Sequence, residues 1–257
     1  MRAFGTSTNS PAVSQDNADA LNMIGLVYLM ESFDAIDESV VECWIGACKF
    51  SDGYCETFDR RRAIRMFRLQ HRLREACIAG DISYASSTSR TPLNQLPETQ
   101  QADISVTQLW LLNRLWNLCS SHGLLREVSD HPELRFDFAY HIASTLVDTC
   151  DSLSLSAMEV HGVGFVEKVY DIALGVCMAI EASTELTLDS CLTRSDLLMG
   201  ESRGNIASVR DLLQAIDKLM RKFRGGNHEY TLKFATALRG IPGYYALDPI
   251  YNPTACP

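Results

Sequence analysis

The chain has 257 residues, 46% of them hydrophobic, and a formal net charge of −9. That is enough apolar material for a sizeable core. An acidic surface is repelled by phosphate backbones and by anionic lipid, which excludes direct nucleic-acid binding and membrane docking by the surface as a whole.

Taken in chain order, residues 1–15 are small and polar and are expected to be disordered. Residues 16–32 carry Leu21, Ile24 and Tyr28 at three- and four-residue spacing, which predicts a helix. The apolar run 21–30 is too short for a membrane span, and Asp and Asn rather than Lys precede it, so neither a signal peptide nor membrane insertion is expected. A second helix is predicted over 34–48, with Ile36, Val40, Trp44 and Ala47 on one face and Asp52-Gly53 breaking the pattern. The longest helix is predicted over 56–79, with Ile64, Phe67, Leu73 and Ala76 inward and a run of arginines covering the rest, which is read as a solvated face.

Residues 81–102 are rich in Ser, Thr, Pro and Gln and predict a mobile loop. A fourth helix is predicted over 105–121, with Trp110 and Trp116 among leucines and His122-Gly123 as its stop. Further helices are predicted over 132–151, 163–182, 187–198, 206–223 and 228–238, followed by a Pro-rich surface strap over 242–257. No segment shows sustained two-residue alternation. The expected fold is therefore all-α, a single domain over 16–257 of about nine or ten helices around an apolar core or pocket.

The segment from Met158 to Ile180 joins His161-Gly162-Val163-Gly164 to a helix that is apolar on nearly every face. Such a helix is buried among others or lines a pocket between them. His161-Gly162-Val163-Gly164, followed by Glu167-Lys168-Val169-Tyr170-Asp171-Ile172, resembles a motif in the C-terminal regulatory region of fungal six-cysteine zinc-cluster transcription factors. Trp110 to Leu125, Phe136 to Leu146 and Phe223-Arg224-Gly225-Gly226 resemble further elements of that region in the same order. The family's DNA-binding module needs two Cys-x2-Cys pairs, and this chain has none among its nine cysteines. With the start at Met1 read as that of a complete polypeptide, the resemblance implies a regulatory fold separated from DNA reading.

Cys77, Cys119, Cys150 and Cys177 lie in apolar helical patterns and read as buried hydrophobes of a reducing compartment, cytoplasmic or, if the protein is regulatory, nuclear. Cys43, Cys48 and Cys55 form the closest triplet. Their spacing is unlike that of a zinc motif, so core thiols are expected there and no metal. Asp34 with Asp37-Glu38, and Asp148 with Asp151, place carboxylates three residues apart as a magnesium-diphosphate site does. Helix capping is the simpler reading of the first group. Cys119 and His122 are close enough in sequence to meet, with a core thiol beside a turn histidine preferred over a nucleophile.

These absences, with the resemblance to regulators of natural-product pathways, lead to the expected function. It is a cofactor-free, metal-independent cyclase of fungal secondary metabolism, a Diels–Alderase-type pericyclase acting on an apolar terpenoid or polyketide intermediate. His161, Tyr140 and Arg135 are the candidate catalytic donors. Trp110, Trp116, Phe138, His141, Phe165 and Tyr170 are the candidate substrate-binding residues. The alternatives are a regulator-like effector- or partner-binding protein without a DNA-binding domain, and a magnesium-dependent terpene cyclase.

Overall fold

Short polar side chains mark where several helices begin. Asp37 accepts from the Val40 amide at 3.1 Å and starts α2 (Glu38–Trp44), and Asp59 accepts from the Arg62 amide at 2.7 Å and starts α3 (Arg60–Ala79). Ser154 accepts from the Ala157 amide and starts α6 (Leu155–Glu159). Each such cap satisfies an otherwise unbonded N–H and contributes about 1 kcal/mol.

The computed structural model describes residues 11–34, 36–51, 54–80, 91–182 and 209–241. The remaining helices are α1 (Pro11–Ser32), α4 (Glu98–Ser121), α5 (Phe138–Asp151), α7 (Gly162–Ala182), α8 (Val209–Lys222) and α9 (Glu229–Gly240). The fold is all-α. The described strands are one short antiparallel hairpin, β1 (Phe50–Ser51) and β2 (Tyr54–Cys55), in which Phe50 faces Cys55. Among the described residues no helix is long and apolar enough to cross a membrane.

The expected elements over 187–198 and 242–257, and the break at Asp52-Gly53, lie outside the described residues, as do residues 1–10. Other boundaries differ from expectation. Helix α1 starts at Pro11, five residues before the predicted start. The predicted loop over 81–102 gives way to helical structure in its second half, a 3-10 turn at Leu93–Gln95 and the first turn of α4 from Glu98. Glu98-Thr99-Gln100-Gln101 is polar and carries no apolar period, yet Gln101 Nε2 donates to the Leu96 carbonyl at 2.7 Å and ties the turn down. The helix predicted over 34–48 is cut to seven residues from both ends: Asp37, in extended conformation, caps its start, and Gly46 adopts φ +72° and turns the chain out after Trp44. The helix predicted over 132–151 splits into a 3-10 turn at Pro132–Leu134 and α5.

Helix α4 is the axis of the molecule, packed by α1, α3, α5, α6 and α7. Its buried residues run from Ala102 to Cys119 and cover more than one face, including Ile104, Leu109, Leu112, Asn113 and Trp116. Helix α7 buries Phe165, Val169, Ile172, Ala173 and Val176 against α4 and α5, so its near-continuous apolarity matches its central position. The C-terminal end of α1 is fixed by a polar junction. Ser32 is fully buried, Gln70 Nε2 donates to its carbonyl at 2.7 Å, and Gln108 Nε2 donates to its hydroxyl at 3.2 Å. These bonds tie α1 to α3 and α4 in one register, since a slip would strand buried amides at a cost of about 1–3 kcal/mol each.

Candidate functional site

The residues expected to form one reacting centre are not gathered into one. His161 precedes α7 as expected, and its Nε2–H donates to the Thr99 carbonyl at 2.8 Å in the first turn of α4, with the Phe165 ring stacked beside it. Arg135 lies at the other end of the same helix. Its guanidinium pairs with Asp137, and its carbonyl accepts the Trp116 Nε1–H at 2.9 Å. Thr99 and Trp116 are about 25 Å apart along α4 at ~1.5 Å rise per residue. One substrate carbonyl therefore cannot receive both His161 and Arg135. Tyr140 is half-buried on α5, packed against the core.

The expected substrate-binding rings are distributed in the same way. Trp116, Phe138 and Phe165 are buried core residues, Trp116 with no exposed surface. Phe138 meets Phe67 edge-on at 5.8 Å, and Phe165 lies 5.4 Å from Phe223. Trp110 is half-buried and donates from Nε1 to Asp171 Oδ2 at 2.8 Å, while Tyr170 packs on Tyr230. His141 lies against the Phe138 ring. Partial desolvation against that ring, together with the positive charges of Arg74 and His71, pulls its imidazole below the usual range. These rings build the core and its edges.

The carboxylate pairs are surface features. Asp37 caps α2 and is paired with Arg62, and Ser39 Oγ donates to it. Those contacts hold its carboxyl below the ordinary value, the Ser39 hydrogen bond contributing most. Asp34, Asp148 and Asp151 are exposed, and Asp151 lies 3.6 Å from Lys222. Capping accounts for Asp37, and neither group faces an interior.

What the structure does assemble is the triplet expected to be core thiols, together with a histidine from a distant element. Cys43 ends the buried side of α2, Cys48 lies in the turn after it, Cys55 is on β2, and His122 is the residue that ends α4. Their four donor atoms all lie within 4.8 Å of one another. Cys43 Sγ and Cys55 Sγ are 3.8 Å apart, and Cys48 Sγ is 3.4 Å from His122 Nε2. Cys43, Cys55 and His122 are 4%, 3% and 5% exposed, and Cys48 is half-buried. The thiols are core residues as expected, but they are not unrelated: the fold brings three sulfurs and one imidazole nitrogen together in one place.

His122 is oriented for that centre. Its Nδ1 lies 2.9 Å from the Leu118 carbonyl, which can only accept, so the proton sits on Nδ1 and Nε2 keeps its lone pair toward Cys48. The rings of Phe50 and Phe58 stand edge-on to the imidazole at 5.1 and 5.3 Å and shelter it from solvent. Burial pushes the Cys43 thiol up to about 12, with the neighbouring sulfurs adding to the rise. Cys55 is also penalised by burial, yet backbone N–H groups of Phe58 and Thr57 bring it net below its ordinary value.

Sequence reasoning missed His122 because its partners are more than sixty residues upstream, and it paired the histidine with Cys119 instead. Cys119 lies in the apolar row of α4, and burial raises its thiol. The signal that was present is a Gly-broken helix followed by a Cys-flanked hairpin, which is how a chain turns two sulfurs toward each other.

Compared with known protein families, with characterised proteins and with solved structures, the chain finds no match in any of the three.

Proposed function

We propose that this protein is a regulator-like helical module that acts by binding a partner protein rather than by contacting DNA. The observation that carries this reading is the outer face of α1. Met23, Leu26 and Met30 are 61%, 50% and 64% exposed, and Val27 and Phe33 are exposed beside them. The inner face of the same helix is docked through Tyr28 and the Ser32 junction. A helix apolar on both faces belongs between two surfaces, and here one of them is supplied by the chain itself.

The spacing of Met23, Leu26, Met30 and Phe33 is the i, i+3, i+7, i+10 stripe that meets an amphipathic helix of a partner. Methionines on such a stripe adapt to the partner's side chains. The net charge of −9 opposes direct DNA contact, so the DNA-reading function belongs to the partner. The motif order that resembles the regulatory region of fungal zinc-cluster factors supports the same assignment. The cyclase expectation has no comparable observation, because two of its three donors, His161 and Arg135, lie at opposite ends of α4.

The test is site-specific photo-crosslinking from position 30 in cells, with the Leu26→Glu change as control. The expected result is a crosslinked adduct with a DNA-binding protein, abolished by L26E while the helical melting curve is unchanged. Absence of an adduct, or cyclisation of an apolar polyene precursor by the purified protein, overturns the reading.

A further inference from the structure

We propose that Cys43, Cys48, Cys55 and His122 bind one Zn2+ ion and that this ion is structural. With Zn–S near ~2.3 Å and Zn–N near ~2.0–2.1 Å, a tetrahedron has S···S edges of about 3.8 Å and S···N edges of about 3.5 Å. The Cys43–Cys55 separation is 3.8 Å and the Cys48–His122 separation is 3.4 Å. These two separations match edges of such a tetrahedron, and the remaining donor pairs lie within 4.8 Å; the Cys43–Cys55 distance is far from a sulfur–sulfur bond, which is ~2.0 Å long.

Three soft thiolates and one imidazole select zinc over the hard, oxygen-seeking cations. Four protein ligands close the coordination sphere, so the ion has no open position for substrate or water, and its role is to hold the chain. Binding displaces the thiol protons to solvent and leaves three thiolates and a neutral imidazole on the ion. The Nδ1–H of His122, donating to the Leu118 carbonyl, is the outer contact that a zinc-bound histidine ordinarily makes.

The place in the fold says what is held. Among the described residues between α1 and α3, the regular elements are α2, of seven residues, and a hairpin of two-residue strands. Such elements are marginal alone. The proposed ion joins the end of α2, the following turn and β2 to the C-terminal end of α4. The site differs from the two-metal cluster of the transcription-factor family in ligand number, spacing and the histidine, and it stands independently of the partner-binding reading.

The test is metal analysis of the full chain purified under reducing conditions, with X-ray absorption at the zinc edge. The expected result is one zinc per chain, with three sulfur neighbours near ~2.3 Å and one nitrogen at ~2.0–2.1 Å. Cys48→Ser and His122→Asn lose the metal, while Cys150→Ser retains it. Should those two variants fail to fold, Co2+ exchanged into the wild-type chain gives thiolate-to-cobalt charge-transfer absorption at one equivalent. No stoichiometric metal and no cobalt–thiolate band, or a Cys43–Cys55 disulfide in protein isolated with its thiols trapped, overturns the proposal.

Discussion

A Cβ placed on Gly175 would lie 2.3 Å from Oδ1 of Asn113. Asn113 is fully buried, and its Nδ2 donates to the Asp171 carbonyl at 3.0 Å, so its amide is not at liberty to swing aside. Helices α4 and α7 approach at this point as only a glycine allows. Gly175→Ala is expected to lower the unfolding free energy by about 1–3 kcal/mol, read from urea denaturation. Gly164→Ala on the same helix meets nothing within 4 Å. It is expected to leave stability unchanged or raise it by about 0.5–1 kcal/mol.

Asp171 joins the same two helices through its side chain. Its Oδ2 accepts the Trp110 Nε1–H at 2.8 Å and lies 4.0 Å from Arg114, whose guanidinium sits over the Trp44 ring. Asp171→Ala removes the acceptor and leaves the indole N–H without it. The expected cost is about 1–3 kcal/mol in thermal unfolding. Trp110→Phe, which removes the donor but keeps a ring, is expected to leave the Arg114–Trp44 stack intact.

Acid sensitivity has two separable parts. His141 has a folded-state pKa below 6.5, because partial desolvation and the charges of Arg74 and His71 oppose its protonation. The unfolded chain therefore binds the proton first, and stability is lost as pH falls below about 6.5. Glu133 is depressed below 4.5, chiefly by its hydrogen bond with His71 and against its burial. Its contribution is present above about 4.5 and is lost as pH falls below that value. Unfolding free energy measured from pH 7.5 to 3.5 is expected to decline in both windows. His141→Gln flattens the upper window, and Glu133→Gln the lower.

Burial pushes the thiols of Cys150 and Cys177 up to about 12 and raises that of Cys119 as well. A thiol that stays protonated and shielded is a poor nucleophile. Maleimide at pH 7.5 is expected to leave these three unmodified in the native protein and to label all three in denaturant, as read by peptide mass spectrometry. Native-state labelling of Cys119 faster than global unfolding contradicts the packing described for α4.

The local pattern of residues was sufficient for α1 to α5 and α7 to α9 and for their order, whereas the five-residue α6 was not expected. Three- and four-residue apolar spacing marks α3, α5 and α8 because each buries one face, and the near-uniform apolarity of α7 announces a central helix. The ends were less legible. Glu98 to Gln101 carries no apolar period although it is helical, and Gly46 ends α2 through a backbone angle that periodicity does not register.

Side-chain role was a different matter. His161, Arg135 and Trp116 look like pocket groups in a one-dimensional chain, but packing assigns them to hydrogen bonds that join α4 to its neighbours. The cluster of Cys43, Cys48, Cys55 and His122 appears only when the end of α4 is brought against the hairpin. Sequence by itself determined which stretches coil and which faces must leave water, since both follow from interactions within a few residues. Only the tertiary structure decided which polar and sulfur atoms meet, because that depends on where helices far apart in the chain cross.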